Sequence, residues 1–101
     1  MTDILVIGSL NADLVVRVPR FAQPGETISG EDLQIIPGGK GANQAVAAAR
    51  QGASVAMAGR VGKDGFGQFL LESLKSNQVD TSNVLVDDSA TGTAIIAVDA
   101  N

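Results

Sequence analysis

Aliphatic runs and residues at helical spacing alternate along much of the chain. The run at 4–7 ends at Gly8 and predicts a strand buried on both faces, as in a parallel sheet. An alanine-rich segment over 42–50 predicts a helix ending near Gly52, and the apolar run at 54–59 predicts another buried strand. The three elements together predict a strand-helix-strand unit with a right-handed crossover.

Between the first strand and this helix, β-branched residues occur in short runs without helical spacing. Residues 14–18 predict a strand, and the proline-containing segment 19–25 predicts a turn. The segments 27–30 and 33–36 predict one or two more short strands. Strands that follow one another without intervening helices pair antiparallel, so we expect a small separate sheet here.

After the strand at 54–59, the pattern becomes helical and then returns to strands. The segment 62–65, which contains Lys63 and Asp64, predicts a surface turn without a chemical role, and residues 66–75 predict a helix. Residues 84–86 and 91–98 predict two strands. Turn chemistry at 99–101 normally leads into a return strand, so we expect the sequence to be the first part of a longer protein.

Composition narrows the possible functions. The length of 101 residues allows one domain at most, and the net charge of −4 argues against nucleic acid or an anionic membrane as partner. The absence of cysteine and histidine excludes disulfides, zinc sites of the usual kind and a Ser-His-Asp triad. No signal peptide or long apolar run is evident, so we expect a cytoplasmic protein.

The glycine-rich loop 37–44, which opens the first helix, is the most informative stretch. It does not have the spacing of a known phosphate loop. In the Walker pattern a glycine precedes Gly-Lys by five positions, but Gln34 and Met57 occupy the two places where it would stand. The third glycine of the dinucleotide pattern is also missing, so a dinucleotide-binding domain is the least expected function.

The polar residues near this loop suit a neutral polyol. Asp13 offers two acceptor oxygens for a vicinal diol, Asn11 and Asn43 can donate and accept, and Lys40 adds donors. Gly39 would allow the backbone to approach a ligand closely. Taken singly, these residues have simpler interpretations: Asp13 as a strand-end cap, the glycines as an ordinary turn, Lys40 as a solvated lysine and Asn43 as a first-turn residue.

Several motifs together resemble those of the ribokinase-like carbohydrate kinases. They are the run 38–47 (Gly-Gly-Lys-Gly-Ala-Asn-Gln-Ala-Val-Ala), Gly52, the run 59–67, the segment 8–13 and the segment 24–27. The resemblance covers essentially all 101 residues, and the glycine-rich run is less similar to the nucleoside and fructose kinases of this family.

This resemblance implies an α/β fold, with a mostly parallel sheet flanked by helices and a small β-sheet lid over the sugar. Residues 1–13 and 38–91 would form part of the core and residues 14–37 and 92–101 part of the lid. The remainder of the fold would be absent from this chain. The lid would also pair with a second subunit, giving a homodimer.

The resemblance also implies a site and a reaction. Asn11 and Asp13 would hold sugar hydroxyls, and the substrate-binding residues would be Asn11, Ala12, Asp13, Gly39, Lys40, Gly41, Ala42 and Asn43. In this family, ATP phosphorylates the primary hydroxyl of ribose, with Mg²⁺ on the phosphates and a K⁺-type cation as activator.

The catalytic aspartate of the family lies in a Gly-x-Gly-Asp motif, which does not occur in this sequence. The catalytic, ATP and cation sites would therefore lie outside the chain, and the chain alone should be inactive. Two alternatives stay open: a kinase of the same family for another sugar or a nucleoside, and a sugar-binding chain without catalysis.

Overall fold

The structure of the chain is a computed structural model in which residues 2–100 are described. Strands and helices follow the order β1 (Ile4–Ile7), β2 (Asn11–Arg17), β3 (Glu31–Gly38), α1 (Lys40–Arg50), β4 (Val55–Gly62), α2 (Gly65–Ser76), β5 (Val79–Asp87) and β6 (Gly92–Val98). The strands form two separate three-stranded sheets. The fold is thus α/β, as predicted.

The first sheet has the strand order β1-β4-β5, and all of its neighbours are parallel. β1 and β4 lie side by side with α1 between them in sequence, which confirms the predicted strand-helix-strand unit. Both helices pack on this sheet, and the largest fully buried side chains are Met57, Val61, Leu70 and Leu74. The hydrophobic core of the chain therefore lies between the first sheet and its helices.

Gly52 lies just after the end of α1, as its position in the sequence predicts. The helix ends at Arg50, and Gly52 has a φ of 97°, a left-handed conformation that favours glycine. The second predicted helix is also present, as α2. No helix within residues 2–100 is long and apolar enough to cross a membrane.

The second sheet has the order β3-β2-β6, with β2 antiparallel to β3 and parallel to β6. The predicted small sheet is confirmed, and of the one or two strands predicted from 27–30 and 33–36 the structure has one, β3, so a separate strand at 27–30 is wrong. Residues 18–30 form a loop, and although Gly30 lies against Val16 and Arg17 of β2, the described strand pairing does not extend to 27–30. Arg20 stabilises this loop through two hydrogen bonds to Glu26, of 2.6 and 2.7 Å.

β1 is less buried than predicted. Val6 packs against the core, but Leu5 is 53% exposed and Ile7 is 79% exposed, so burial on both faces is wrong for this strand. The physical reason is its position: β1 is an edge strand of the first sheet, and among residues 2–100 no element covers its outer face.

The two sheets give the chain an elongated shape. Its radius of gyration is 15.8 Å, compared with about 13 Å for a compact domain of 100 residues. β2 begins at Asn11, soon after β1, and β3 ends at Gly38, just before α1. Because Asn11 pairs with Gly38, the chain enters and leaves the second sheet at neighbouring positions. The division of the chain into core and lid portions stays a prediction.

Candidate functional site

Two connections between the sheets meet at the glycine-rich loop. Residues 8–10 lead from β1 to β2, and they lie directly against the start of α1, where the Ala42 amide donates to the Ser9 carbonyl oxygen at 3.0 Å. A Cβ atom at Gly41 would lie 2.7 Å from the Ser9 nitrogen, and one at Gly39 would overlap the Ser9 carbonyl oxygen. Because Gly39 also has a φ of 99°, glycine is required there on two grounds.

These contacts explain the glycines through packing of the chain on itself. The space that a side chain would fill at Gly39 or Gly41 is occupied by the backbone of residues 8–10. The approach of a ligand to Gly39 therefore stays a prediction. The loop is nevertheless rigidly placed beside the start of β2, where the polar residues singled out in the sequence lie.

Asn11 and Asp13 form the polar centre of this region. They lie within β2 itself, whereas the sequence places them just past the end of β1. Strand alternation directs both side chains to one face of the second sheet, and the Asn11 side-chain amide donates to Asp13 Oδ1 at 2.5 Å. Both residues are half-buried. The structure thus brings the two predicted sugar-binding side chains together.

Gly38 makes room for the Asp13 carboxylate. Asn11 pairs with Gly38 in the antiparallel register, and a Cβ atom at Gly38 would lie only 2.5 Å from Asp13 Oδ2. Within residues 2–100, Oδ2 of Asp13 has no hydrogen-bond partner, and neither has Oδ1 of Asn11. Two neighbouring acceptors are therefore free to receive hydroxyl protons, as a vicinal diol requires.

The other predicted site residues differ in accessibility. Lys40 and Asn43 lie exposed in the first turn of α1, whereas Ala12, Gly41 and Ala42 are buried. Asn43 lines a hollow of about 270 Å³ with Pro37, Val46, Ala47, Arg50, Ser73 and Asn77. Neither Asn11 nor Asp13 lines this hollow. Asn11, Asp13 and Gly39 are thus grouped, while Asn43 faces a neighbouring depression of the surface.

One residue with several polar contacts was missed by the sequence reasoning. Asp64 lies in the predicted surface turn, but its carboxylate accepts hydrogen bonds from the Gly67 amide at 2.8 Å and from the Thr91 amide at 2.9 Å. The Thr91 hydroxyl donates to it at 2.6 Å, and this bond in particular lowers the pKa of Asp64 below its usual value. An aspartate directly before a helix is a capping signal, but the distant partner Thr91 has no signal in the sequence.

Comparison with known proteins gives consistent results over the whole chain. The sequence profile of the pfkB family carbohydrate kinases matches residues 1–101. The chain is 50% identical to ribokinase of Lactococcus lactis, over 97% of this chain and 33% of that protein. It is also 50% identical to ribokinase of Bacillus subtilis, over 97% of this chain and 34% of that protein.

A solved structure gives the same result for the fold. Arabidopsis thaliana ribokinase complexed with ribose and ATP matches with a TM-score of 0.93 and 34% identity, over 100% of this chain and 34% of that one. The chain thus spans about a third of the length of the relatives it matches.

Proposed function

Since the chain belongs to the pfkB family of carbohydrate kinases, we propose that it supplies the sugar-binding half and the lid of an ATP-dependent kinase that phosphorylates D-ribose on its primary, 5-hydroxyl group. The observation that carries the proposal is the Asn11–Asp13 pair beside the glycine-rich loop, in a chain 50% identical to two ribokinases. Because these relatives are about three times as long, the activity is proposed for a longer polypeptide that contains this chain.

In this proposal the acceptor oxygens of Asn11 and Asp13 bind hydroxyl groups of the sugar. Hydrogen bonds to a charged group contribute about 1.5–3 kcal/mol each, so the carboxylate is the stronger anchor. In the strand register Asp13 lies between Ile36 and Ala94, whose side chains share its face of the sheet. These apolar neighbours would contact the C–H groups of the sugar, while Gly39 and Lys40 would line the same pocket.

The second sheet would act as the lid. Its apolar side chains are widely exposed, including Ile35 at 44%, Ile36 at 41% and Ile95 at 80%. A sheet with so much exposed apolar surface is suited to cover a ligand and to pair with a second copy. Homodimerisation through this sheet is part of the proposal.

Phosphoryl transfer depends mainly on positioning of the reactants and on stabilisation of charge. This chain would contribute the first: Asn11 and Asp13 fix the sugar so that its primary hydroxyl points towards the nucleotide, and the lid excludes water. ATP would supply the phosphoryl group. The cytoplasm, where ATP is available, would be the location of the enzyme.

The residues of this chain do not fit the metal ions of the reaction. Within residues 2–100 no group of three or more acidic side chains is placed to hold a metal, and the sequence contains no Gly-x-Gly-Asp. In this proposal neither the metal ions nor the general base of the reaction is held by residues 2–100.

A chimera tests the proposal. The 101 residues would replace the aligned segment of Bacillus subtilis ribokinase, and the purified chimera would be assayed with ATP and ribose, 2-deoxyribose, fructose or adenosine. We expect ribose to have the highest kcat/KM. A folded chimera that binds ATP but phosphorylates none of these would contradict the proposal, and a preference for another acceptor would favour a relative with a different substrate.

The non-catalytic alternative has its own test. A chain that only binds sugar should be folded and soluble by itself, and its melting temperature should rise with ribose concentration. We expect no catalysis by the isolated chain in either case. Ribose-dependent melting together with an inactive chimera would favour the alternative.

A further inference from the structure

Among residues 2–100, Thr91 is the polar residue whose side chain is buried. It is only 5% exposed, and it lies just before β6, where the chain passes from the first sheet to the second. Its hydroxyl donates to Asp64 Oδ1 at 2.6 Å and accepts from the Gly62 amide at 2.8 Å. Its own amide donates to Asp64 Oδ2 at 2.9 Å. The hydroxyl and the amide of Thr91 are therefore both hydrogen-bonded, to the end of β4 and to the residue that caps α2.

Close packing reinforces these hydrogen bonds. A Cβ atom at Gly62 would lie 2.5 Å from the Thr91 amide nitrogen, and one at Gly67 would lie 3.0 Å from the Thr91 hydroxyl. The end of β4, the start of α2 and the segment before β6 thus meet without room for a further carbon atom. This close packing and the hydrogen bonds together fix Thr91 to the first sheet. Because close-packed interiors transmit displacements, a movement of one of these segments would also move the others.

Arg60 holds the residues immediately before Thr91. Its guanidinium donates to the carbonyl oxygens of Ser89 and of Ala90, the latter at 3.0 Å, and to Asp87 Oδ1 at 2.8 Å. This ion pair lowers the pKa of Asp87. The connection 87–91 is therefore attached to the first sheet at both of its ends.

The attachment leads directly to the candidate sugar site. Gly92 follows Thr91 and pairs with Asn11 in the parallel register of β6 and β2, and Ala94 pairs with Asp13. A displacement of Thr91 would therefore move the strand that flanks the two sugar-binding side chains. Neither Asp64 nor Thr91 pairs with β2 itself.

We propose that Asp64 and Thr91 are positioning residues for sugar binding: their hydrogen bonds fix the start of β6 on the first sheet, and β6 in turn sets the position of Asn11 and Asp13. This inference rests on the proposed function for its effect on ribose. Its structural part, the coupling of Thr91 to β2, can be measured without any sugar.

Matched substitutions separate positioning from a general loss of stability. Thr91→Val keeps the shape of the side chain and removes the hydroxyl, whereas Thr91→Ser keeps the hydroxyl. Asp64→Asn keeps an oxygen to cap α2, since asparagine caps helices about as well as aspartate, but it places an amide group against the Thr91 donors. We expect Thr91→Val and Asp64→Asn to displace the start of β6, and Thr91→Ser to leave it in its wild-type position.

The first measurement uses the 101-residue chain without ligand. In ¹H–¹⁵N spectra, we expect Thr91→Val and Asp64→Asn to shift the amide signals of Asn11, Asp13 and Gly92, and Thr91→Ser to leave the first two unchanged. Unchanged Asn11 and Asp13 signals in both disruptive variants would overturn the inference. If Thr91→Val does not fold, the spectrum of Asp64→Asn decides by the same criterion.

The second measurement uses the chimera. Because a displacement of about 1 Å can cost up to about 100-fold in rate, we expect Thr91→Val to raise the KM for ribose by about 10-fold. The KM for ATP should change by less than about 2-fold, and the Thr91→Ser variant should have the wild-type KM for ribose. Two outcomes would overturn the inference: an equal increase in the KM for ribose and the KM for ATP, or a KM for ribose in Thr91→Ser as high as in Thr91→Val.

These results distinguish the two proposals. A wild-type chimera without ribose phosphorylation would contradict the proposed function, while the amide shifts in the free chain would still decide whether Thr91 positions β2. Shifts without any change in the KM for ribose would overturn the functional part of the inference and leave the proposed function standing.

Discussion

The two sheets of this chain are built from similar aliphatic runs but are stabilised differently. The first sheet is covered by α1 and α2, and its Met57 and Val61 are completely buried. In the second sheet Ile95 is 80% exposed, and order comes from strand pairing and from the Arg20–Glu26 ion pair in the loop 18–30. Apolar burial is therefore concentrated in the first sheet, whereas the second sheet depends more on backbone pairing and has its apolar contacts mainly where α2 packs against β2.

This difference corresponds to the division of roles that we propose. A sheet with its own core provides a fixed base, and a sheet without one can move over a ligand beyond the points at which it is attached to that base. Asn11 and Asp13 lie at the junction, on a strand of the second sheet next to a loop packed on the first.

The largest contrast concerns burial. Leu70, which is 1% exposed, lies in the core, so Leu70→Ala should lower the free energy of unfolding by about 2–5 kcal/mol because a cavity remains. Ile95→Ala in β6 should change it by less than about 0.5 kcal/mol. Urea unfolding of both variants measures the difference. Similar losses at the two positions would show that the second sheet has a core of its own.

A smaller effect is expected at the junction of the sheets. Gly41→Ala would place a methyl group 2.7 Å from the Ser9 nitrogen, so we expect a loss of about 1–3 kcal/mol from overpacking. Gly65→Ala, also in the first turn of a helix, meets no atom within 4 Å and is the matched control. It should be neutral or stabilising by up to about 1 kcal/mol. Equal stability of the two variants would contradict the close packing of residues 8–10 on the loop.

The smallest effect concerns the ion pair of the loop 18–30. The hydrogen bonds from Arg20 lower the pKa of Glu26 from 4.5 to about 2. Ionised Glu26 therefore stabilises the folded chain fully above pH 4.5, and this contribution disappears as the pH falls towards 2. We expect wild type to melt above Glu26→Gln at neutral pH, by a difference that shrinks to zero near pH 2.

Salt provides the control for this prediction. The pair is exposed to solvent, so about 1 M NaCl should reduce the difference in melting temperature at neutral pH. A difference that persists unchanged from pH 7 to pH 2 would show that Glu26 acts through packing and not through its charge.

Much of the first sheet could be predicted from the sequence because its signals are local. Continuous aliphatic runs gave β1 and β4, helical spacing gave α2, and Gly52 marked the end of α1. β5 was predicted only at 84–86, since the polar stretch 80–83 hides the beginning of a strand that starts at Val79. The backbone pairing with β4 stabilises this polar stretch as a strand, although its residues have little strand propensity of their own.

Features that depend on distant partners could not be predicted in the same way. The segment 27–30 has β-branched residues but is not included in the strand pairing, so its propensity is not realised. Asn11 and Asp13 were identified by chemistry and by resemblance, but the hydrogen bond between them and the room made by Gly38 required coordinates. The Asp64–Thr91 pair joins residues 27 positions apart, and no local pattern indicates it.

Ribose kinetics of the chimera carrying Asp13→Ala test whether the carboxylate of Asp13 binds the sugar. Loss of hydrogen bonds to a charged group should lower kcat/KM for ribose by about 10- to 100-fold. Glu72→Ala, at an exposed carboxylate of α2, is the control and should leave kcat/KM unchanged. Ribose phosphorylation as fast in Asp13→Ala as in wild type would contradict the account.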